Sequence, residues 1–208
     1  MPKALHRRSH RSTFFRRYIR TDLPIIYYAT ISILLGFLIA WILVVKVRIP
    51  GLIEGPSGYR VVGSPTVTAD FINRVLDHYH SPAAGKGQTL YDDGIKYDID
   101  PAYALAFFMQ ESTFGTQGVA RVTHSLGNIR ATSGHPQYAG YRLYRNWEEG
   151  FDDWYRLISN QYVGQWGLLT VDQIIPVYAP GSDNNNENAY IQSVKNAVDT
   201  WRHGSLEV

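Results

Sequence analysis

Apolar positions follow helical spacing along most of the chain beyond residue 67. The first apolar set follows Thr68, which predicts a helix with Thr68 as its N-cap. That set consists of Phe71, Ile72, Val75, Leu76 and Tyr79. After a break at 81–87, a short helix is predicted over 89–97, with Leu90 and Ile95 on its inward face.

The segment 102–115, AYALAFFMQESTFG, is apolar for most of its length and predicts a buried central helix. Asp100 suits the N-cap, and Pro101 suits the first helical position, where a missing N–H costs nothing. We expect this helix to end at 112–115. Glu111 then lies in the last turn of an otherwise apolar helix.

The rest of the chain alternates between turn-forming and helical segments. Residues 118–144 contain the β-prone pieces LGNIR and YAGYRLY and predict a small β-hairpin region. Asn146 and Thr170 each begin a capping-box pattern, with Glu or Gln three residues later, and each predicts a helix. A polar loop at 180–188 precedes a last helix, whose apolar face runs over 190–201. The predicted fold class is α+β, mostly α, with one small β-hairpin region.

An uncharged apolar run of 23 residues at 23–45 is long enough to span a bilayer core of about 30 Å. Seven Lys or Arg precede the run, and two follow it closely, so the N-terminus is expected in the cytoplasm and the C-terminal domain outside. A cleaved signal peptide would have a shorter apolar core and a small-residue cleavage site. The predicted order is a basic tail (1–22), a single transmembrane signal-anchor helix (23–47) that binds the lipid bilayer, a linker (48–67) and a folded domain (68–203).

Composition and charge narrow the function further. The chain has no cysteine, which excludes disulfides, thiol catalysis and cysteine-based metal sites. Residues 1–48 hold nine Lys or Arg and one acid, whereas residues 49–208 hold eleven against 17 acids, a net charge of −6. The basic character therefore belongs to the N-terminus, and no nucleic-acid partner is predicted for the folded domain.

Glu111 is the leading candidate for chemistry. Its neighbours on the N-terminal side, residues 105–109, are all apolar. A carboxyl group at the edge of such a helix is partly desolvated, which raises its pKa. Because an acid that keeps its proton near neutral pH can protonate a leaving group, the sequence predicts Glu111 as a general acid.

Four motifs in order carry a family resemblance: MQESTFG, SLGNIR, YRLYRNWEEGFDDW, and YAP with an Asn-rich loop and AYIQSV. Over residues 68–202 they resemble the glucosaminidase domain of bacterial cell-wall hydrolases. The resemblance implies a lysozyme-like fold and an endo-β-N-acetylglucosaminidase that cleaves the β-1,4 glycan backbone of peptidoglycan without a cofactor or a metal.

The resemblance also implies roles for five residues. Glu111 matches the catalytic acid. Gly127 and Asn128 match a glycine-containing turn beside the cleft, Tyr144 matches the aromatic before the WEE helix, and Tyr178 matches the tyrosine of the YA motif. These four residues are implied to bind substrate. The alternative is structural: the two tyrosines fill the core and Asn128 holds a turn.

A second catalytic acid is missing where this family often has one, because no Asp or Glu occurs over 112–147. Glycosidases commonly use two carboxyl groups. Three alternatives stay open. Glu148 or Glu149 reaches the cleft, the N-acetyl group of the substrate acts as nucleophile, or Glu111 acts alone as acid and then base.

Other polar residues have simpler interpretations. The acid-free interval holds four arginines, whose charge would attract the anionic lactyl-peptide stem of peptidoglycan. They are Arg121, Arg130, Arg142 and Arg145. Helix capping accounts for the two glutamates, and Asp152 and Asp153 are predicted on a solvated helix face. His124 and His135 have no acidic neighbours and predict no metal site.

Two other functions stay open. The Glu-Ser pair at 111–112 also resembles lytic transglycosylases, which share the fold, although GNIR departs from their Gly-Leu-Met-Gln pattern. The missing second acid favours a third possibility, a catalytically silent glycan-binding module tethered to the membrane.

Overall fold

The structure, a computed structural model, describes residues 58–183 and 185–208. Within these residues there are seven α-helices: α1 (Ala69–His78), α2 (Gly87–Tyr97), α3 (Pro101–Ser112), α4 (Ala120–Thr123), α5 (Trp147–Arg156), α6 (Val171–Tyr178) and α7 (Glu187–Arg202). A π-helical segment (Leu157–Gln165) continues α5, and a 3-10 turn (Gly181–Asp183) follows α6. Strands β1 (Gln137–Tyr138) and β2 (Tyr141–Arg142) form one antiparallel pair. The prediction of a mostly helical domain with a small hairpin is confirmed.

Helix α3 is the centre of the core. Every residue from Pro101 to Phe108 is buried, as expected for a helix that is apolar all round. Helix α7 packs along α3, and α5 contributes Trp154, whose ring lies 5.1 Å from that of Phe108. This packing fixes the position of the C-terminal end of α3, where Glu111 lies.

The helix starts follow the capping signals in the sequence. Thr68 Oγ1 accepts the Phe71 N–H at 3.1 Å, and Asp100 Oδ1 accepts the Ala102 N–H at the same distance. At the start of α6, the Gln173 side chain accepts the Thr170 N–H at 3.2 Å, which is the reciprocal bond of a capping box. These bonds satisfy donors that the first turn of a helix cannot pair internally, so local sequence sets where these capped helices begin.

The inward position predicted for Ile95 is wrong, because its side chain is 57% exposed. Leu90 is buried as predicted, but Ile95 lies five residues further on, about 140° around the helix at 3.6 residues per turn. Gly94 completes the inward face instead. A Cβ on Gly94 would lie 2.5 Å from Pro101 Cγ, so this close approach requires glycine.

The β-hairpin region is smaller than the sequence suggests. The piece LGNIR forms no strand and contributes one isolated bridge, between Arg130 and Tyr141. The short helix α4, which lacks a side-chain cap, was not predicted. Only the piece around the turn at 139–140 pairs, because positive φ angles at Ala139 and Gly140 reverse the chain there.

Residues 59–67, assigned to the linker from sequence, pack on the folded unit. Val61 is buried, its N–H donates to the Leu169 carbonyl at 3.0 Å, and its carbonyl accepts the Asp100 N–H at 2.9 Å. In the part of the chain that the structure describes, no helix is long and apolar enough to cross a membrane. The predicted anchor at 23–47 lies outside that part.

Candidate active site

The backbone turns sharply directly after Glu111. Thr113 and Phe114 both adopt the left-handed conformation, with φ of 45° and 53°. The Phe114 N–H bonds the Phe108 carbonyl at 3.1 Å, which closes the end of α3. Two successive non-glycine residues in this conformation are uncommon, and such backbone strain concentrates at functional sites.

A turn at 125–128 is held against this helix end. The Asn128 Nδ2 donates to the Glu111 carbonyl oxygen at 2.6 Å, and Ser112 Oγ donates to the Leu126 carbonyl at 2.8 Å. Asn128 has a φ of 45°, a conformation that asparagine tolerates better than most residues. Asn128 therefore fixes the backbone of Glu111 and leaves the carboxyl group free for other contacts.

The Glu111 carboxyl group has one tyrosine partner. Tyr190, on α7, donates its hydroxyl to Glu111 Oε1 at 2.8 Å. Burial raises the pKa of Glu111 from 4.5 to about 7, and the smaller opposing effects come from the Tyr190 hydrogen bond and from the charge of Arg130. Burial also raises the pKa of Tyr190 well above its ordinary value, so its hydroxyl keeps the proton that it donates.

A cleft of about 410 Å³ opens beside Glu111, within the size range of ligand sites. One wall is the turn at 128–132 together with β2, and another is the π-helical segment, through Leu157, Gln161 and Tyr162. The end of α6 and the loop after it complete the lining. The side chains are mixed: tyrosines for apolar contact, and amide, hydroxyl and charged groups for hydrogen bonds.

Of the four residues implied to bind substrate, Asn128 and Tyr178 line this cleft with Glu111. Gly127 lies behind the wall. A Cβ there would be 2.4 Å from Trp154 Cδ1, and the Gly127 carbonyl accepts the Tyr178 hydroxyl. Trp154 Nε1 donates to that hydroxyl at 3.1 Å. The tyrosine is thus fixed by both groups, and it presents the rest of its ring to the cleft.

Tyr144, the fourth residue, contacts a buried acid instead. Its hydroxyl donates to Asp153 Oδ2 at 2.6 Å, and the residue is not part of the cleft lining. The prediction that Asp153 lies on a solvated face is wrong, because the residue is 3% exposed. Burial acts to raise the pKa of Asp153, but bonds from Tyr144, Arg142 and Arg156 outweigh it and lower that pKa.

The four arginines of the acid-free interval separate into two groups. Arg130 and Arg142 line the cleft, whereas Arg121 and Arg145 do not. Arg142 is 12% exposed and bonds Asp153 Oδ2 at 2.7 Å, so a buried partner holds it in place. Arg130 is 69% exposed and lies 3.8 Å from Asp183.

The described acids that line the cleft are Glu111 and Asp183. Asp183 lies in the polar loop after α6, beyond the acid-free interval at 112–147, and is 50% exposed. Glu148 and Glu149 lie away from the cleft, where they pair with Lys86 and Arg145. The alternative in which either glutamate reaches the cleft therefore receives no support.

Sequence reasoning missed Tyr190 and Asp183 as site residues. Tyr190 was assigned to the apolar face of the last helix, and Asp183 to a polar loop. The only local signals were the Tyr190 hydroxyl on an otherwise apolar helix face and the Asp183 carboxylate in the polar loop. Tyr190 meets Glu111 across 79 residues of sequence, a contact that no local pattern encodes.

The two histidines near the site have other surroundings. His124 Nδ1 lies 2.9 Å from the Tyr144 carbonyl oxygen, and His135 is exposed. Over residues 58–183 and 185–208, no group of three or more His, Asp or Glu is arranged to hold a metal ion.

In comparisons with known proteins, no family model matches the chain, and no curated protein matches it either.

Proposed function

We propose that the chain is a membrane-anchored cell-wall hydrolase with a lysozyme-like domain, an endo-β-N-acetylglucosaminidase that uses Glu111 as general acid. The observation that carries the proposal is a largely buried carboxyl group at the edge of an open cleft, hydrogen-bonded by Tyr190 at 2.8 Å, whose pKa burial raises to about 7. A general acid works best when its pKa lies near the operating pH.

The mixed lining of the cleft suits a sugar chain. Tyr141, Tyr162 and Tyr178 offer aromatic surface to sugar faces, and Asn128 and Gln161 offer amide groups to hydroxyl and acetamido groups. In the proposed reaction, protonated Glu111 donates its proton to the glycosidic oxygen as the bond to the anomeric carbon breaks. The resulting carboxylate accepts the Tyr190 hydrogen bond and takes a proton from the water that attacks the anomeric carbon.

The same arrangement also suits a lytic transglycosylase, which is the second candidate. Asp183, the other acid in the described cleft lining, is half exposed and lies near an arginine, so its environment differs from that of a buried catalytic acid. A single acid then performs both proton transfers. In that reaction the C6 hydroxyl of the sugar, rather than water, gives its proton to Glu111 and closes an anhydro ring.

Digestion of purified sacculi with the full chain tests these proposals. We expect Glu111→Gln to lower the rate at least about 100-fold, the usual scale of general acid catalysis. Glu149→Gln is the matched control because Glu149 lies outside the cleft, and it should keep the parent rate. Mass spectrometry of the products separates the two reactions, since hydrolysis leaves reducing ends and transglycosylation leaves anhydromuramic ends.

A silent glycan-binding module gives a different result. It would bind sacculi without releasing soluble fragments, and Glu111→Gln would change neither property. That outcome would refute the enzyme proposal. The predicted anchor at 23–47 and the outward orientation of the domain are part of the proposal, and protease protection of the domain in intact cells would refute that orientation.

A further inference from the structure

Arg130 lines the cleft, and its ion-pair partner, Asp183, can be replaced by another carboxylate. Its guanidinium carbon lies 5.0 Å from the ring centroid of Tyr141, and both residues line the cleft. An isolated bridge pairs the backbones of Arg130 and Tyr141, which fixes the start of the arginine side chain. Arg130 is also near enough to Glu111 for its charge to lower the pKa of that acid.

The ion pair of Arg130 with Asp183 is weakly held. The Nη2–Oδ2 distance of 3.8 Å is too long for a hydrogen bond, and both side chains are at least half exposed. Exposed pairs of this kind contribute little free energy, because water and salt screen them. A carboxylate that approaches Arg130 through the cleft can therefore replace Asp183 at little cost and form the closer bidentate contact that a guanidinium favours.

We infer that Arg130 is the carboxylate-binding residue of this cleft, and that it selects glycan strands bearing anionic lactyl-peptide side chains over neutral strands. The inference rests on the proposed function, and it gives Asp183 the role of an internal competitor for the same guanidinium.

The second cleft arginine does not fit this role. Arg142 Nη1 bonds Asp153 at 2.7 Å, and its Nη2 donates to Thr132 Oγ1 at 3.0 Å. Asp153 is buried, so releasing the guanidinium would remove one of the two arginines that balance its interior charge. Arg130 is therefore the guanidinium in the cleft wall whose partner can change.

The substrate pair for the test differs only in charge. Sacculi are divided into two portions, and the carboxyl groups of one are converted to amides with a carbodiimide and ammonia. The full chain, purified in mild detergent, is assayed on both at low salt. We expect the parent to show a kcat/KM about fivefold higher on the untreated sacculi, the upper scale of an exposed ion pair.

Four variants test whether Arg130 causes the preference for untreated sacculi. Arg130→Gln should lose this preference, chiefly by a rise in KM on untreated sacculi, and Arg130→Lys should retain part of it. Asp183→Asn should lower KM about twofold on untreated sacculi only, because the competitor is removed. Arg145→Gln is the matched control, since Arg145 is 88% exposed and lies outside the cleft lining. It should behave as the parent.

Three results would overturn the inference: no preference in the parent, the same preference in Arg130→Gln, or an equal loss in Arg145→Gln. Binding of the Glu111→Gln protein to both kinds of sacculi separates this inference from the proposed function. If Glu111→Gln retains full turnover while binding still depends on Arg130 and on substrate carboxylates, the hydrolase proposal falls and the carboxylate site stands. If turnover depends on Glu111 but binding ignores Arg130, the opposite holds.

Discussion

Replacing Glu111 with glutamine should stabilise the folded chain in alkaline solution, although it removes the proposed catalytic acid. The carboxyl group lies at the end of α3 between the core and the cleft, where burial disfavours its charged form. Glutamine has nearly the same shape and carries no charge at any pH. The two proteins should therefore differ in how their stability depends on pH.

The magnitude follows from the pKa of Glu111 in the two states. Burial raises the pKa from 4.5 to about 7, and this difference corresponds to about 3 kcal/mol at 1.36 kcal/mol per pH unit. Between these two pH values the folded state binds more protons than the unfolded state, so the parent loses stability as pH rises. The loss is complete above about pH 7 and absent below about pH 4.5. The variant has no such loss.

Urea denaturation of the full chain at pH 4, 6 and 8, followed by near-UV circular dichroism, measures the difference. The free energy of unfolding of Glu111→Gln minus that of the parent should increase by about 3 kcal/mol from pH 4 to pH 8. Any pH-independent effect of the substitution cancels, because the comparison takes the difference between two pH values.

Glu149→Gln is the control with the opposite sign. The Arg145 side chain lowers the pKa of Glu149, so this carboxylate adds stability that is lost as pH falls. The free energy of unfolding of Glu149→Gln minus that of the parent should therefore decrease as pH rises. A pH-independent difference for Glu111→Gln would show that Glu111 is solvated, and the argument for a protonated acid at neutral pH would fail with it.

Three further predictions concern the groups around the cleft and the core. Tyr190→Phe removes the hydrogen bond that lowers the pKa of Glu111, so the alkaline limb of the kcat/KM profile should move up by about one pH unit; a lower rate with an unmoved limb would contradict this role. Burial raises the pKa of Asp93 to about 6, so Asp93→Asn should stabilise the fold by up to about 3 kcal/mol at pH 8 and by almost nothing below pH 4, as measured by urea denaturation. Asp153→Ala leaves the Arg142 guanidinium without its buried carboxylate and should cost about 3–5 kcal/mol in thermal unfolding; a loss below 1 kcal/mol would mean that the ion pair is solvated.

Helix positions were predictable because their signals are local. Thr68, Asp100 and Asn146 cap the helices that they precede, since a side-chain oxygen one to three residues away is the nearest acceptor for a free N–H. The apolar length of α3 likewise required burial. The error at Ile95 arose because a short helix with few apolar residues leaves the direction of its inward face undetermined until a neighbour, here Pro101, packs against it.

The candidate site needed the tertiary structure. The sequence singled out Glu111 by the apolar residues before it. In the folded domain, burial raises the pKa of this residue. The partners of that acid come from distant segments: Tyr190 lies 79 residues away, and the Gly127 carbonyl bonds Tyr178 across 51 residues. For Asp153, likewise, the sequence predicted the helix that carries the residue but not its burial against Arg142.

The sequence by itself thus determined the longer helices, the starts of those with a capping residue and the one acid beside an apolar run, because these depend on residues within a turn or two of each other. Only the tertiary structure decided which charges are buried, which arginines line the cleft and which tyrosine bonds the acid. Those features depend on how α3, α5 and α7 pack together. Because the hydrophobic effect is non-directional, a local apolar pattern does not specify which distant segment packs against it.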